Sequence, residues 1–130
     1  MLYILLWMIF CHVVADYNLQ GFLATMKQKD YWKEECVKNG IDFNNSMYKH
    51  DYKVALFMHS FAWSFMIMLP ILIATTYTID PVVFLGIFAI NLVTHYIVDD
   101  LKANYKLINL CQDQCFHLIQ IFVTWLAFTA

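Results

Sequence analysis

The chain has 130 residues, of which 62% are hydrophobic and 14% charged, and its formal net charge is −2. Ordinary soluble domains are roughly 45–50% apolar and about 25% charged, so this composition favours a single membrane-embedded domain over residues 1–130. All eight basic residues are lysines, and none lies in a basic patch interleaved with aromatic residues. A nucleic-acid interface is therefore excluded.

The first apolar segment extends from about residue 2 to residue 26 and carries His12 and Asp16, four residues apart. It has no basic start and no convincing cleavage site, so we interpret it as a retained helix and not as a signal peptide. Residues four apart lie on one face of a helix. His12 and Asp16 are therefore expected to face the same neighbours.

A lysine-rich segment follows over residues 27–51, with a turn signal at Asn39-Gly40. A short amphipathic helix from about residue 31 to 37 is expected within it, lying at the membrane surface. His50 is expected to be solvated. The polar segment as a whole, extended to residue 53, is a candidate surface for a protein partner.

Three further apolar segments cover about residues 52–76, 81–101 and 107–129, each close to the 20 residues that a spanning helix needs. Pro81 suits the first turn of its helix, after a short connector. We therefore predict an all-α fold, a four-helix transmembrane bundle with a polar His/Asp core.

The lysines predict how this bundle is oriented. Six of them lie between Lys27 and Lys53, and the other two are Lys102 and Lys106. These first and third connections must lie on one side of the membrane, and the positive-inside rule assigns that side to the cytoplasm. The expected location is the cell (inner) membrane, with both termini on the non-cytoplasmic side.

Each predicted helix carries one polar stripe at helical spacing. Asn91, His95, Asp99 and Lys102 fall within a narrow stripe on the third helix at about 100° per residue. On the second helix His59 stands alone. The fourth helix repeats the pattern with Asn109, Asp113, His117, Gln120 and Thr124. Ionisable groups in membrane helices are costly, so such stripes are expected to face the bundle interior and to mark a functional site.

With the orientation above, the histidines and aspartates of these stripes all lie in the cytoplasmic half of the membrane. Imidazole nitrogens and carboxylate oxygens are ligands for a divalent metal, with zinc as the first expectation and manganese or iron as alternatives. One ion, or two, would suit a set of this size. The expected metal ligands are His12, Asp16, His59, His95, Asp99, Asp113 and His117.

Other interpretations of the same residues stay open. A metal-free His–Asp hydrogen-bond network, haem ligation by histidine pairs and a proton or ion relay each fit part of the pattern. Lys27 and Lys102 are expected to snorkel to the membrane surface, with a phosphate grip beside the metal as the alternative. The four cysteines contain no C-x-x-C pair and are expected to be free, buried, small apolar residues.

The ordered motifs resemble a small membrane family of bacteria and phages, catalogued as domain of unknown function three-three-zero-seven. The resemblance implies a short multi-pass helical protein with a His/Asp core, and it supplies no reaction. Trp63 stands where the pattern has a second histidine after His59. The motifs are His12-x-x-x-Asp16-x-x-x-Gln20, Lys27, His59, His95-x-x-x-Asp99, Lys102 and Asp113-x-x-x-His117.

The expected function is that of an integral-membrane metal-dependent hydrolase, acting on a phosphoester or acyl bond near the cytoplasmic face. A metal held with an open position makes its bound water a nucleophile near pH 7. Whichever of Asp16, Asp99 or Asp113 is not a tight ligand would then serve as general base. The alternative is a non-enzymatic membrane protein, either a metal or proton conduit or a metal-stapled protein that binds a partner.

Overall fold

The computed structural model describes residues 2–74 and 79–129, and in those ranges it is helical with no β-strand. The predicted all-α class is confirmed. A π-helical segment (Val14–Asn18) follows the first helix, and two 3-10 turns (Phe43–Asn45 and Met47–His50) precede the fourth. The α-helices are α1 (Leu2–Val13), α2 (Leu23–Met26), α3 (Lys29–Lys38), α4 (Asp51–Ala74), α5 (Pro81–Ala103) and α6 (Leu110–Thr129).

The continuous helix expected over residues 2–26 is instead three pieces. The backbone leaves α geometry at Val14, whose carbonyl accepts the N–H of Leu19 at 2.9 Å, a π-type bond five residues apart. The Gln20 amide then donates to the carbonyl of Asp16 at 2.8 Å, and Gly21 adopts a φ of 47°. A side chain competing for the backbone and a left-handed glycine end the helix together.

The lysine-rich segment is largely helical, because α3 occupies residues 29–38. The short helix expected there is confirmed and is longer than predicted. Asn104, at the end of α5, joins this segment to the bundle: its amide donates to the carbonyl of Lys27 at 3.1 Å and accepts the N–H of Lys29 at 2.7 Å. The start of the first connection is thereby held against the end of α5.

The starts of α5 and α6 follow from their capping residues. Pro81 occupies the first turn as predicted, and the Asp80 side chain accepts the N–H of Val82 at 2.8 Å. Asn109 and Gln112 cap each other reciprocally at 2.9 and 3.0 Å, so α6 begins at Leu110 and not near residue 107. The connector of residues 75–78, together with the predicted end of the second helix at residue 76, lies outside the described residues.

The four long helices pack in the cyclic order α1, α4, α5, α6, with α6 closing onto α1. An apolar core fills the ring at the end near Ile4, Ile71 and Ile121. The other end, beside Lys27 and Lys102, is occupied by buried polar side chains. The ring therefore has an apolar end and a polar end.

Two helical stretches are long and apolar enough to cross a membrane, Met47–Ala74 and Pro81–Ala103. The apolar stretch of α5 lies mostly outside the protein interior. Leu2–Asn18 is a shorter apolar helix.

Candidate functional site

The polar end brings all seven predicted histidines and aspartates into one cluster of neighbouring contacts. His12 comes from α1 and Asp16 from the π-helical segment, and the other five come from α4, α5 and α6. All are buried except Asp16, which is half-buried. Six of the seven fall into two groups whose potential ligand atoms lie within 4.8 Å of one another: Asp16, His59 and His95, and then Asp99, Asp113 and His117.

The first group is centred on the Nε2 atom of His59. It lies 3.2 Å from the Nε2 of His95 and 3.4 Å from Oδ1 of Asp16. A tetrahedral zinc ion with bonds of 2.0–2.1 Å separates its ligand atoms by about 3.3–3.4 Å. The His59–His95 and His59–Asp16 spacings fit a hydrogen-bonded chain and also a four-coordinate ion, so this group can hold a metal.

The second group contains polar atoms that lack partners in the interior. Nε2 of His117 lies 3.3 Å from Oδ1 of Asp113, and both residues are fully buried. Within residues 2–74 and 79–129, these two atoms have only this ion-pair contact with each other, and Nδ1 of His117 has no hydrogen-bond partner. Unpartnered buried polar atoms are costly, and a cation between the imidazole and the carboxylate would satisfy both.

Asp99 connects the two groups. Its Oδ2 lies 3.4 Å from the Nε2 of His59, while its carboxylate also belongs to the group of Asp113 and His117. The two groups are therefore adjacent parts of one centre, and the centre can accommodate one or two ions.

Two lysines that were expected to snorkel to the surface instead reach into the cluster. The Lys27 ammonium donates to Oδ2 of Asp99 at 2.6 Å, and the Lys102 ammonium donates to Oδ2 of Asp113 at 2.7 Å. Lys27 is only 6% exposed. The expectation is wrong for Lys27 because Asn104 holds its backbone against α5, beside Asp99.

His12 has contacts unlike those of the other three cluster histidines. The Trp63 indole N–H donates to Nδ1 of His12 at 2.9 Å, so Nδ1 is unprotonated and the proton lies on Nε2. That Nε2 is 3.1 Å from Oε1 of Gln114, which accepts it. Both ring nitrogens are thus used within the protein. His12, expected as a ligand, belongs to neither group and is placed to orient its neighbours.

Gln114 extends this hydrogen-bond chain to both ligand groups. With Oε1 accepting from His12, its Nε2 donates to Oδ2 of Asp113 at 3.0 Å and to Oδ2 of Asp16 at 3.3 Å. One amide therefore orients a carboxylate in each group. Hydrogen bonds of this kind fix the direction of ligand atoms and tune their basicity.

The indole of Trp63 also stacks against the ring of His95, with centroids 4.0 Å apart and planes 15° apart. The centroid of the His95 ring also lies 4.3 Å from that of His117, whose ring centroid is 5.2 Å from that of Trp63. Trp63 is fully buried. The Trp63 indole therefore packs against the imidazoles of both His95 and His117.

The polar stripe continues toward the apolar end through Asn91, Gln120 and Thr124, but the hydrogen-bond donors of Gln120 and Thr124 are satisfied within the stripe. Gln120 donates to the backbone and side-chain oxygens of Asn91 at 2.7 and 2.8 Å, and Thr124 donates to the same side chain at 3.0 Å. The fully buried Ile67 and Ile121 lie beside these residues, and Ile121 stands between Gln120 and Thr124 on α6. The stripe thus runs along the apolar core.

Sequence reasoning missed Gln114, and it gave Lys27 and Lys102 a place beside the metal only as an alternative and Trp63 only as a departure from the resembled pattern. Lys102 lies in the predicted stripe of α5, a signal that already indicated its inward direction. Gln114 is rotated about 100° from Asp113 on the helix, so facial spacing argues against it. Lys27 meets Asp99 across 72 residues of chain, and no local pattern indicates that contact.

The remaining titratable and thiol groups lie away from the cluster. His50 is exposed, as expected. All four cysteines are free, and Cys11 and Cys36 are buried. The expectation of burial is wrong for Cys111 and Cys115, which are exposed on α6.

Comparisons with protein-family models, curated proteins and solved structures find no match to this chain.

Proposed function

We propose that this protein is an integral-membrane, metal-dependent hydrolase whose four long helices cross the cell (inner) membrane. The two spans with sufficient length and hydropathy support this, and so do large apolar side chains exposed on the shorter helices, such as Leu6 and Phe10 on α1 and Phe122 on α6. Soluble monomers rarely expose apolar patches of that extent. The polar residues that dilute α1 and α6 face the ring interior.

The orientation follows from the lysine distribution. The connections of residues 27–50 and 104–109 lie on the cytoplasmic side, and the ends near residues 2 and 129 lie on the opposite side. The ion-binding centre then opens toward the cytoplasmic face, at the depth of lipid headgroups. The resemblance to the domain of unknown function three-three-zero-seven, which is a prediction from the sequence, also favours this multi-pass arrangement.

The observation that carries the proposal is the pair of adjacent His/Asp groups with ligand-like spacing and unpartnered buried atoms. Histidine with carboxylate oxygen suits zinc, and manganese and iron share that preference. We propose zinc, bound as one or two ions by His59, His95, Asp99, Asp113 and His117, with Asp16 beside them as the carboxylate that is not a tight ligand.

Such an ion, when bound, supplies a water of lowered pKa as nucleophile for a phosphoester or acyl bond. The chain itself supplies the base. The Oδ2 atoms of Asp99 and Asp113 each accept a hydrogen bond from a lysine ammonium, whereas within the described residues no lysine bonds to Asp16. Asp16 is also the most exposed of the three aspartates. We therefore assign Asp16 as the general base.

A conduit is disfavoured by the apolar core that lies beside the polar stripe. A path for ions or protons needs polar groups that continue across the bundle, and here the donors of Gln120 and Thr124 are taken up by Asn91, while Ile67, Ile71 and Ile121 fill the centre of the ring.

A metal-stapled structural protein is the second candidate, because His95, Asp113 and His117 are fully buried. Structural zinc sites are closed, while catalytic ones keep an open position. Partner binding would then fall to the exposed segment of residues 27–53.

Elemental analysis of the purified protein in detergent tests the metal centre. We expect about one or two ions per chain in the wild type and in His50→Ala, and a loss of most metal in His95→Ala and Asp113→Ala. Sub-stoichiometric metal in the wild type, unchanged by either substitution, would contradict every metal-based proposal.

Hydrolysis separates the two candidates. The zinc-loaded protein is expected to cleave a chromogenic phosphoester or acyl ester, to lose this turnover with a chelator and to regain it on adding zinc. Stoichiometric metal without turnover on either ester class favours the structural staple.

A further inference from the structure

Lys27 and Lys102, hereafter the ammonium pair, are used neither as metal ligands nor as general base in the proposed function. We propose that the ammonium pair binds the anionic phosphate group of the substrate, which makes the reaction phosphoester and not acyl-ester hydrolysis. This inference rests on the proposed function and deepens it. Three independent features of the site carry it.

The first feature is the charge of the centre. Three carboxylates and the two ammonium groups leave one net negative charge while the imidazoles are neutral. One bound divalent ion changes this to one net positive charge in a buried place, where an uncompensated charge is costly. A phosphoester anion compensates that charge, whereas an uncharged acyl ester does not.

The second feature is the unused donor capacity of the ammonium pair. Each ammonium group has three N–H donors. Within the described part of the chain, Lys27 donates only to Asp99 and Lys102 only to Asp113. The spare donors of Lys27 are shielded from solvent because the side chain is 8% exposed. Phosphate oxygens are strong acceptors for such buried, charged donors.

The third feature is the graded exposure of the pair. The Lys102 side chain is 31% exposed and that of Lys27 is 8% exposed, while their aspartate partners are almost fully buried. Lys102 therefore lies at the mouth of the centre and Lys27 at its interior. An entering anion meets Lys102 first and is held at Lys27.

Hydrogen bonds from a neighbouring side chain also fix the position of Lys27. Asn104 accepts the N–H of Lys29 and donates to the Lys27 carbonyl, and its amide further donates to Asp100 at 2.6 Å. A surface lysine needs no such support. The backbone that follows the Lys27 side chain is held by Asn104, and in this position the ammonium reaches Asp99.

The test is titration of the zinc-loaded protein in detergent with inorganic phosphate, by calorimetry, with metal content measured on each sample. Lys27→Met is expected to weaken phosphate binding about tenfold or more, since a hydrogen bond to a charged group is lost. Lys102→Met is expected to weaken it less, because solvent screens that position. Lys106→Met is the matched control, because Lys106 follows the end of α5 and donates to the carbonyl of Ala103. This variant should bind phosphate with the affinity of the wild type.

Lys27→Arg guards against a folding artefact, because it keeps the charge and the donors. Phosphate affinity retained in Lys27→Arg and lost in Lys27→Met, at equal metal content, supports the inference. Metal lost together with phosphate in Lys27→Met assigns Lys27 a structural role and overturns it. If the wild type binds metal but has no affinity for phosphate, the phosphate inference is wrong and the metal centre is unaffected. If the wild type binds no metal, the proposed function itself is wrong.

A second titration with dihexanoyl phosphatidic acid distinguishes a lipid headgroup from a soluble phosphate as the source of the anion. Tighter binding of the lipid than of inorganic phosphate, abolished by Lys27→Met, assigns the phosphoester to a membrane lipid. Equal affinities assign it to a soluble phosphate compound.

Discussion

The two ends of the helical ring are built from opposite chemistry. At one end Ile67, Ile71 and Ile121 pack as a continuous apolar core. At the other end histidines, aspartates and lysines contact one another with hardly any solvent, and α1 gives way to a π-helical segment. The apolar core stabilises the fold of the helical ring. The polar end can therefore retain buried polar groups that do not by themselves stabilise the fold. Unusual backbone of the π type is often found at functional sites.

The contrast predicts that substitutions at the polar end change metal binding, while substitutions at the apolar end change stability. The predictions below test this division, from the largest expected effect to the smallest.

His59→Leu is expected to remove the centre of the first ligand group, because Nε2 of His59 faces His95, Asp16 and Asp99. In the wild type, a thousandfold excess of metal over its dissociation constant stabilises by about 4 kcal/mol, and chelation removes this. The chelator should therefore lower the thermal midpoint of the wild type and leave that of His59→Leu unchanged, as measured by thermal unfolding in detergent. An equal chelator response in both proteins would contradict a metal at His59.

Ile67→Ala is expected to destabilise the protein by about 2–4 kcal/mol, because Ile67 is fully buried and a cavity remains. Its metal content should stay at the wild-type value. Denaturant unfolding in micelles and elemental analysis measure the two quantities. Ile73→Ala is the control, since Ile73 is 70% exposed and its loss should cost far less. Loss of metal in Ile67→Ala would show that the two ends are coupled.

Gln114→Leu is expected to weaken metal affinity about 10- to 100-fold, the usual effect of removing a group that orients metal ligands. Its amide donates to Asp16 and Asp113 and accepts from His12, so one change releases both carboxylates. Competition with a chromogenic chelator measures the affinity. Gln112→Leu, which touches only the cap at Asn109, is the control. Equal affinities in the two variants would confine Gln114 to a packing role.

Much of the architecture was predictable because it depends on local chemistry. Pro81 predicts the start of α5, because the ring of proline fixes a backbone angle that suits the first turn of a helix. The start of α6 could have been predicted from Asn109 and Gln112, which have the spacing of a reciprocal capping pair. The break after Asn18 was not predictable from hydropathy. It depends on a π-type bond to Val14 and on an amide that competes for the backbone.

The candidate site divides in the same way. Spacing of four residues places His95 with Asp99 and Asp113 with His117 on helical faces, so the sequence by itself determined the ligand types and their inward direction. Which ligands share a group was decided by tertiary packing. The cyclic order of helices brings His59 between Asp16 and Asp99, and it leaves the predicted ligand His12 hydrogen-bonded to Trp63.

What the sequence alone determined is therefore a set of chemically suited groups on inward faces, because helical periodicity is a property of adjacent residues. What only the tertiary structure decided is which of those groups meet. Lys27 reaches Asp99 and Gln114 reaches Asp16 across 72 and 98 residues, and such contacts depend on how the helices close into a ring. Periodicity along one helix carries no information about its neighbour.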